Sequence, residues 1–334
     1  MWFQSLLVVG LALMTATTPY CAPAGRGFPV IRVDGSSTVY PLAEAVAEEF
    51  QRNYPGVRVT IGVSGTGGGM KKFCRGETDL ATASRPIAAS EREACRQAGL
   101  AYYELPIAMD AIVVVTHPGN VQVSAMTLDE LRRIWAPEAQ GRIRRWSQVN
   151  PAWGDRPLNL YGAGTDSGTF DYFTEVVNGK ARASRGDYMA SEDDNVLVQG
   201  IAGDPNALGY FGFDIYYENR DRLRPVPIAR AAGQPPVTPT VETILSGAYA
   251  PLARPLFIYV NARSLERPEV ADFVHFWLEH GAALADEVHC VPLPPEAYAA
   301  VRQHLANGRV GSVFTHRPAV AVSIQDLLTW PAAL

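Results

Sequence analysis

Four short segments hold the residues best suited to chemistry. They are Gly35-Ser36-Ser37-Thr38, Ser64-Gly65-Thr66-Gly67-Gly68-Gly69, Ala83-Ser84-Arg85-Pro86 and Gly164 to Thr169, the last ending in Asp166-Ser167-Gly168-Thr169. Each follows a predicted strand, and the first, second and fourth lead into predicted helices. A loop that opens a helix offers backbone N–H groups without intrahelical acceptors, at the positive end of the helix dipole. Glycine lets that backbone approach a ligand closely, and Ser and Thr add hydroxyl donors. Arg85 is the one cation in the four segments. The set describes an oxyanion site built mainly from neutral donors. A hydrogen bond to a charged group contributes about 1.5–3 kcal/mol and a helix terminus about 0.3–1 kcal/mol. Several of each can offset the roughly 4–15 kcal/mol cost of immobilising a ligand.

Other chemistries fit the same residues less well. The run Asp166-Ser167-Gly168-Thr169 matches one loop of an aspartic protease, but a single-chain enzyme of that kind needs two such loops so that two carboxylates share a proton. Val33-Asp34-Gly35-Ser36 has its Gly and Ser in the wrong order for the second. A secreted hydrolase using Ser167 or Asp166 is the alternative from another functional class. A serine hydrolase of the elbow type needs G-x-S-x-G, and Gly62-Val63-Ser64-Gly65-Thr66 lacks the last glycine. The glycine run at 65–69 does not end in the Gly-Lys-Ser/Thr of a phosphate-binding P-loop, and Met70 stands where a dinucleotide fingerprint needs its last glycine.

These segments must be positioned by the elements around them, and strands and helices alternate along the chain. Val30 to Gly35 reads as a strand, and Tyr40 to Asn53 as a helix with Leu42, Val46 and Phe50 on one face, Pro41 in its first turn and Pro55-Gly56 after it. Val57 to Val63 is the next strand. The glycine run is expected to precede a short helix, and Asp79 to Ala83 forms a third strand. Ser90 and Glu93 predict a capping box that starts a helix ending at Gly99, and Thr127 and Glu130 repeat the device. Pro268 to Gly281 predicts a helix with Val270, Phe273, Val274, Trp277 and Leu278 as its buried stripe. The alternation predicts an α/β architecture with mostly parallel sheets. Two apolar strands, near residues 113 and 258, are the expected crossings between two domains: residues 25–108 with 255–334, and residues 109–254.

The chain has 334 residues, 47% of them apolar, and a formal net charge of −5. Nonspecific attraction to nucleic acid or an anionic membrane is therefore not favoured, and an anion site must rely on local donors. Residues 1–24 read as a leader: Leu6 to Met14 is a short apolar run and Ala22-Pro23-Ala24 supplies a cleavage site, although the first five residues carry no Lys or Arg. Cys21 would suit a lipid anchor, but Thr18 stands where that signal wants Leu. Export permits a disulfide. Cleavage after Ala24 leaves Cys74, Cys95 and Cys290; the first two flank a predicted strand and are paired here, leaving Cys290 as a buried free thiol. The cysteine and histidine spacings exclude the usual zinc patterns, and no metal is expected.

At the four loops, and in the stretches VDGSSTVYPLAEAVAEEF, GVSGTGGGMKKFCRGETDLATASRPI, LYGAGTDSGTFDYFTEVV and NALGYFGFDIYYE, the sequence resembles the PstS-type phosphate-binding proteins, the extracytoplasmic receptors of phosphate ABC transporters. The resemblance covers most of the chain after the leader. It implies a type II periplasmic-binding fold, two α/β domains with a hinge and an interdomain ligand cleft, and a periplasmic or otherwise extracytoplasmic monomer. It further implies inorganic phosphate as ligand, membrane permease subunits as partner, no catalysis, no cofactor and no nucleic acid. By motif, Ser37, Thr38, Thr66, Gly67, Ser84, Arg85, Ser167, Gly168 and Thr169 are the implied phosphate contacts. Ser84 stands where well-known members carry an Asp that accepts the phosphate proton, and Ala163 where they carry an Arg. Arg85 is the candidate replacement cation, and Asp34, Asp110 and Asp166 are the candidate acceptors. An acceptor carboxylate favours protonated phosphate over sulfate. Without one assigned, sulfate or a phosphonate is the alternative ligand.

Overall fold

The computed structural model describes residues 28–165, 167–191, 193–288, 290–315, 322–329 and 331–333. The leader at 1–24 and Asp166 lie outside them. In chain order the elements that frame the cleft are β1 (Val30–Gly35), α1 (Tyr40–Asn53), β2 (Arg58–Val63), α2 (Gly65–Cys74), β3 (Leu80–Ala83), α3 (Ala89–Gln97), β4 (Tyr102–Thr116) and α4 (Leu128–Trp135). They continue with β5 (Asn159–Ala163), α5 (Gly168–Asn178), β6 (Met189–Ser191), α6 (Asp194–Gly203), β7 (Ala207–Gly212), β8 (Ala253–Asn261) and α7 (Pro268–Glu287).

Among the described residues these strands form one mixed sheet in the order β2-β1-β3-β8-β4-β7-β5-β6. The fifteen-residue β4 is shared: Tyr102 to Ala111 pair with β8, and Ile112 to Thr116 pair with β7. Strand β1 is parallel to β2 and β3, while β8 is antiparallel to both β3 and β4. Thus β1 to β3 run with β4, while β7 is antiparallel to it and parallel to β5. Because β4 passes from one half of the sheet to the other, the carboxyl ends of β1, β2, β3 and β5 all point at the line between the halves. In open α/β sheets the crevice beyond such ends is where ligands bind. This is a two-domain α/β fold of the periplasmic-binding kind.

Each half has its own apolar packing. Helix α1 buries Leu42, Val46 and Phe50, and the Phe50 ring meets Phe273 of α7 edge-on with centroids 5.1 Å apart. In the other half Phe173 of α5 stacks on Tyr210 of β7, and Trp135 of α4 meets both rings edge-on. Each such side chain withdrawn from water contributes about 1.5–3 kcal/mol, so the jaws are firm bodies on either side of the cleft. No helix among the described residues is long and apolar enough to cross a membrane.

Three local expectations are corrected. The glycine run at 65–69 does not precede a helix; it forms the first turns of α2. The reason is close packing, since a side chain on Gly69 would collide with the backbone of Asp34 and Gly35. Helix α3 starts at Ala89, before the predicted Ser90 cap, because the Glu91 carboxylate reaches back to accept from the Ala88 N–H at 2.7 Å. Gly281 does not end α7, which runs on to Glu287; this glycine is buried where a Cβ would lie 3.2 Å from Trp277. The Thr127–Glu130 capping box forms as predicted, and Cys74 and Cys95 are disulfide-bonded. Cys290 is a free thiol that burial pushes up to about 12.

Candidate functional site

The ends of β1, β2, β3 and β5 converge on a cleft of about 210 Å³. On one side it is lined by Ser36, Ser37, Thr38, Thr66, Ser84 and Arg85 with the backbone of Gly65 and Gly67. On the other side stand Gly168, Asp171, Tyr172 and Glu175 of α5 together with Ala181, and Arg254 of β8 lies between. The volume is below the roughly 300–1,000 Å³ of sites for drug-sized ligands, so the occupant is small.

The first jaw is ordered by short-range bonds. Thr66 Oγ1 accepts from the Ser84 N–H at 3.2 Å and lies 3.3 Å from Ser84 Oγ, joining the second and third loops. Beneath them, Asp34 at the end of β1 is 6% exposed and accepts from Lys72 Nζ at 2.5 Å and from Ser64 Oγ. Burial raises its carboxyl, but the bonds from Lys72 and Ser64 more than offset this and hold it below the ordinary value. Arg85 lines the cleft while both guanidinium arms reach the Glu91 carboxylate, at 2.8 and 2.7 Å, and that hydrogen bonding raises its pKa. The disulfide joins α2, which carries the second loop, to α3, which carries Glu91. Loops two and three are therefore cross-linked from behind.

The second jaw is the start of α5. Ser167 is its N-cap, its Oγ accepting from the Thr169 N–H at 3.1 Å. That bond orients the turn so that Gly168 faces the first loop. A Cβ on Gly168 would lie 2.8 Å from Thr38 Oγ1 and 3.0 Å from Ser37 Oγ. Glycine is thus what allows the jaws to meet. Helix α5 ends at Asn178, and the next residue, Gly179, has a φ of 78° that suits a left-handed cap, its N–H donating to Glu175 O at 2.9 Å. Of the residues singled out in the sequence, Ser37, Thr38, Thr66, Gly67, Ser84, Arg85 and Gly168 line this one cleft; Ser167 and Thr169 adjoin it through the cap.

Sequence reasoning missed Arg254. Its side chain is 12% exposed. It donates from Nη2 to Thr38 Oγ1 at 3.0 Å and from Nε to Asp110 Oδ2 at 3.2 Å, and its guanidinium lies 3.5 Å over the Tyr172 ring. Tyr172 is buried, which raises its phenol, and its hydroxyl donates to Pro251 O at 2.5 Å. Arg254 therefore touches the first jaw, the shared strand β4 and the second jaw at once. The candidate acceptor Asp110 is engaged by this pair. The one signal in the sequence is an arginine at the head of an otherwise apolar strand, ARPLFIYV.

A family model described as the PBP superfamily domain matches residues 22–279. The phosphate-binding protein PstS of Staphylococcus saprophyticus is 36% identical over 280 residues, covering 83% of this chain and 84% of that protein. The chain belongs to the PBP superfamily, in its PstS-type family. Protein SphX of Synechococcus elongatus is 45% identical over 319 residues, covering 93% of this chain and 94% of its own length. Among solved structures, a possible phosphate-binding protein from Planctomyces limnophilus is 47% identical with a TM-score of 0.79, over 84% of this chain and 98% of that one. The PstS-type resemblance and the two-domain fold expected from the sequence agree with these matches.

Proposed function

We propose that this protein binds one inorganic phosphate in the cleft between residues 25–108 with 255–334 and residues 109–254, outside the cytoplasm, and delivers it to the permease subunits of an ABC transporter. It is a carrier and catalyses no reaction. Ser37, Thr38, Thr66, Ser84 and Thr169 are hydroxyl donors, while the N–H groups of Gly67 and Gly168 donate from the starts of two helices. Ser167 shapes the second of these starts. Arg254 is the principal cation, with Arg85 at the edge of the cleft. The supporting observation is the junction at Gly168, where the second jaw meets Ser37 and Thr38 beside Arg254. A small anion there is contacted from both jaws, so binding favours the closed form.

The test is calorimetry on protein that has been unfolded, stripped of ligand and refolded. One phosphate per chain is the expected result. Absence of phosphate binding at millimolar ligand overturns the reading.

A further inference from the structure

We infer that Glu104 is a positioning residue for anion binding. It lies behind the cleft and, through the Tyr259 hydroxyl, ties the third loop to the segment at Ser312–Val313, so that occupancy of the cleft and order in that segment are linked. The inference rests on the proposal that the cleft binds phosphate, and adds to it the support of one binding loop.

Strand β4 carries two carboxylates among its fifteen residues, Glu104 and Asp110. Asp110 is engaged by Arg254 beside the cleft. Glu104 does not line the cleft. It stands at the wall of a separate cavity of about 10 Å³, with His304 and Arg309, which is scarcely room for one water. A carboxylate in such a place acts through what it holds, not through a ligand of its own.

What it holds reaches two distant segments. Tyr259 stands directly opposite Glu104 across β8 and β4, and its buried hydroxyl donates to Glu104 Oε2 at 2.9 Å. The same hydroxyl accepts from the Ile87 N–H at 2.9 Å. Ile87 follows Ser84, Arg85 and Pro86, the first two of which line the cleft. Its carbonyl accepts from Arg92 Nη1 of α3 at 3.1 Å, so both of its backbone polar groups are held by side chains. On the other side, Glu104 Oε1 accepts from the Val313 N–H at 3.0 Å. Burial raises the carboxyl of Glu104, against bonds from Ser312, Val313 and Tyr259 that lower it. Burial and the neighbouring carboxylate also keep the proton on Tyr259. The relay therefore runs from the Ile87 N–H to the Tyr259 hydroxyl to Glu104, where it meets the Val313 N–H. Each buried member depends on the next for its partner.

Calorimetry on the refolded full chain with inorganic phosphate comes first. Tyr259→Phe keeps the buried ring and removes the bridging hydroxyl, and should weaken phosphate binding by about three- to tenfold. Hydrogen-exchange mass spectrometry then follows the peptides that contain Ile87 and Val313. In the wild-type chain phosphate should slow exchange at both by about threefold or more. Glu104→Gln offers one acceptor oxygen and one donor nitrogen, so either Tyr259 or the Val313 N–H loses its acceptor. In both variants phosphate should no longer slow exchange at Val313. General loosening would instead speed exchange there with and without phosphate alike and leave the phosphate effect in place; that result overturns the inference. So does phosphate affinity of Tyr259→Phe within about twofold of the wild-type value. If Tyr259→Phe does not fold, Glu104→Gln supplies the exchange comparison, and the wild-type measurement needs no variant: phosphate that leaves exchange at Val313 unchanged overturns the inference while phosphate binding stands. A wild-type chain that binds no phosphate is seen at the first step, and removes the functional proposal and this inference together.

Discussion

Arg254 and Thr38 are 216 residues apart in the chain and 3.0 Å apart in the fold, joined by a hydrogen bond from Nη2 to Oγ1. The same guanidinium covers the Tyr172 ring of the opposite jaw at 3.5 Å. A cation that holds one jaw and packs on the other is placed to sense whether the two are together. It also puts positive charge beside the Gly168 junction in a chain whose net charge is −5.

Replacing Arg254 should therefore affect binding before it affects folding. Arg254→Ala removes a charge-assisted donor, a loss of about 1.5–3 kcal/mol, so phosphate affinity should fall roughly ten- to a hundredfold. Arg85→Ala should cost less, because Arg85 is already held by both oxygens of Glu91. Calorimetry on the two variants, with circular dichroism to verify folding, checks the ranking. A larger loss from Arg85→Ala would transfer the principal role to that residue.

The contrast between these arginines shows what one sequence can reveal. The four binding loops were legible because their Gly, Ser and Thr residues follow strands, a local pattern. Helix α1 was legible to the residue because its apolar spacing and flanking prolines agree. Arg254 was not, since its partner Asp110 lies 144 residues away and its setting on β8 resembles any strand start. Helix α3 offers two local acidic candidates: Glu93 fits a Ser90 cap, but Glu91 is drawn to Ala88 and Arg85 together and the helix starts at Ala89. Gly281 predicts a stop by its position yet serves as a contact, because glycine at a helix end and glycine under a tryptophan look alike in sequence.

Gly168→Ala tests the contact between the jaws. The added methyl would fall 2.8 Å from Thr38 Oγ1 and 3.0 Å from Ser37 Oγ, too close for either to remain in place. The start of a helix tolerates alanine, so the stability of the ligand-free protein should change by less than about 1 kcal/mol. Phosphate affinity should fall by more than about tenfold, and phosphate should no longer reduce the radius of gyration in solution scattering. Unaltered binding would mean that the cleft does not close at this point.

The disulfide between Cys74 and Cys95 closes a loop of sequence separation 21. The chain-entropy account assigns such a loop about 3 kcal/mol of stability. Cys95→Ser should lower the urea midpoint accordingly without abolishing the fold. Because α2 and α3 support loops two and three, phosphate affinity should also fall, by about two- to tenfold. A variant with the wild-type midpoint would show that packing alone holds these helices together.

Acid sensitivity should arise in part from Asp187. Hydrogen bonds from Arg185, at 2.6 Å and 2.9 Å, hold its carboxyl down to about 2. Arg185 is 3% exposed and also donates to Ile134 O and Ile143 O, so it fastens the segment after α5 to the α4 region. Since the folded-state value lies below that of the unfolded chain, near 3.8, the folded protein releases this proton more readily. The resulting stability is fully present above about pH 4 and is lost as pH falls toward about 2. Asp187→Ala should cost roughly 1–3 kcal/mol at neutral pH, where Arg185 would keep its carbonyl partners but lose its carboxylate. It should also flatten the acid limb of the urea midpoint measured against pH. An acid limb as steep as that of the wild-type chain would assign the sensitivity to other carboxylates.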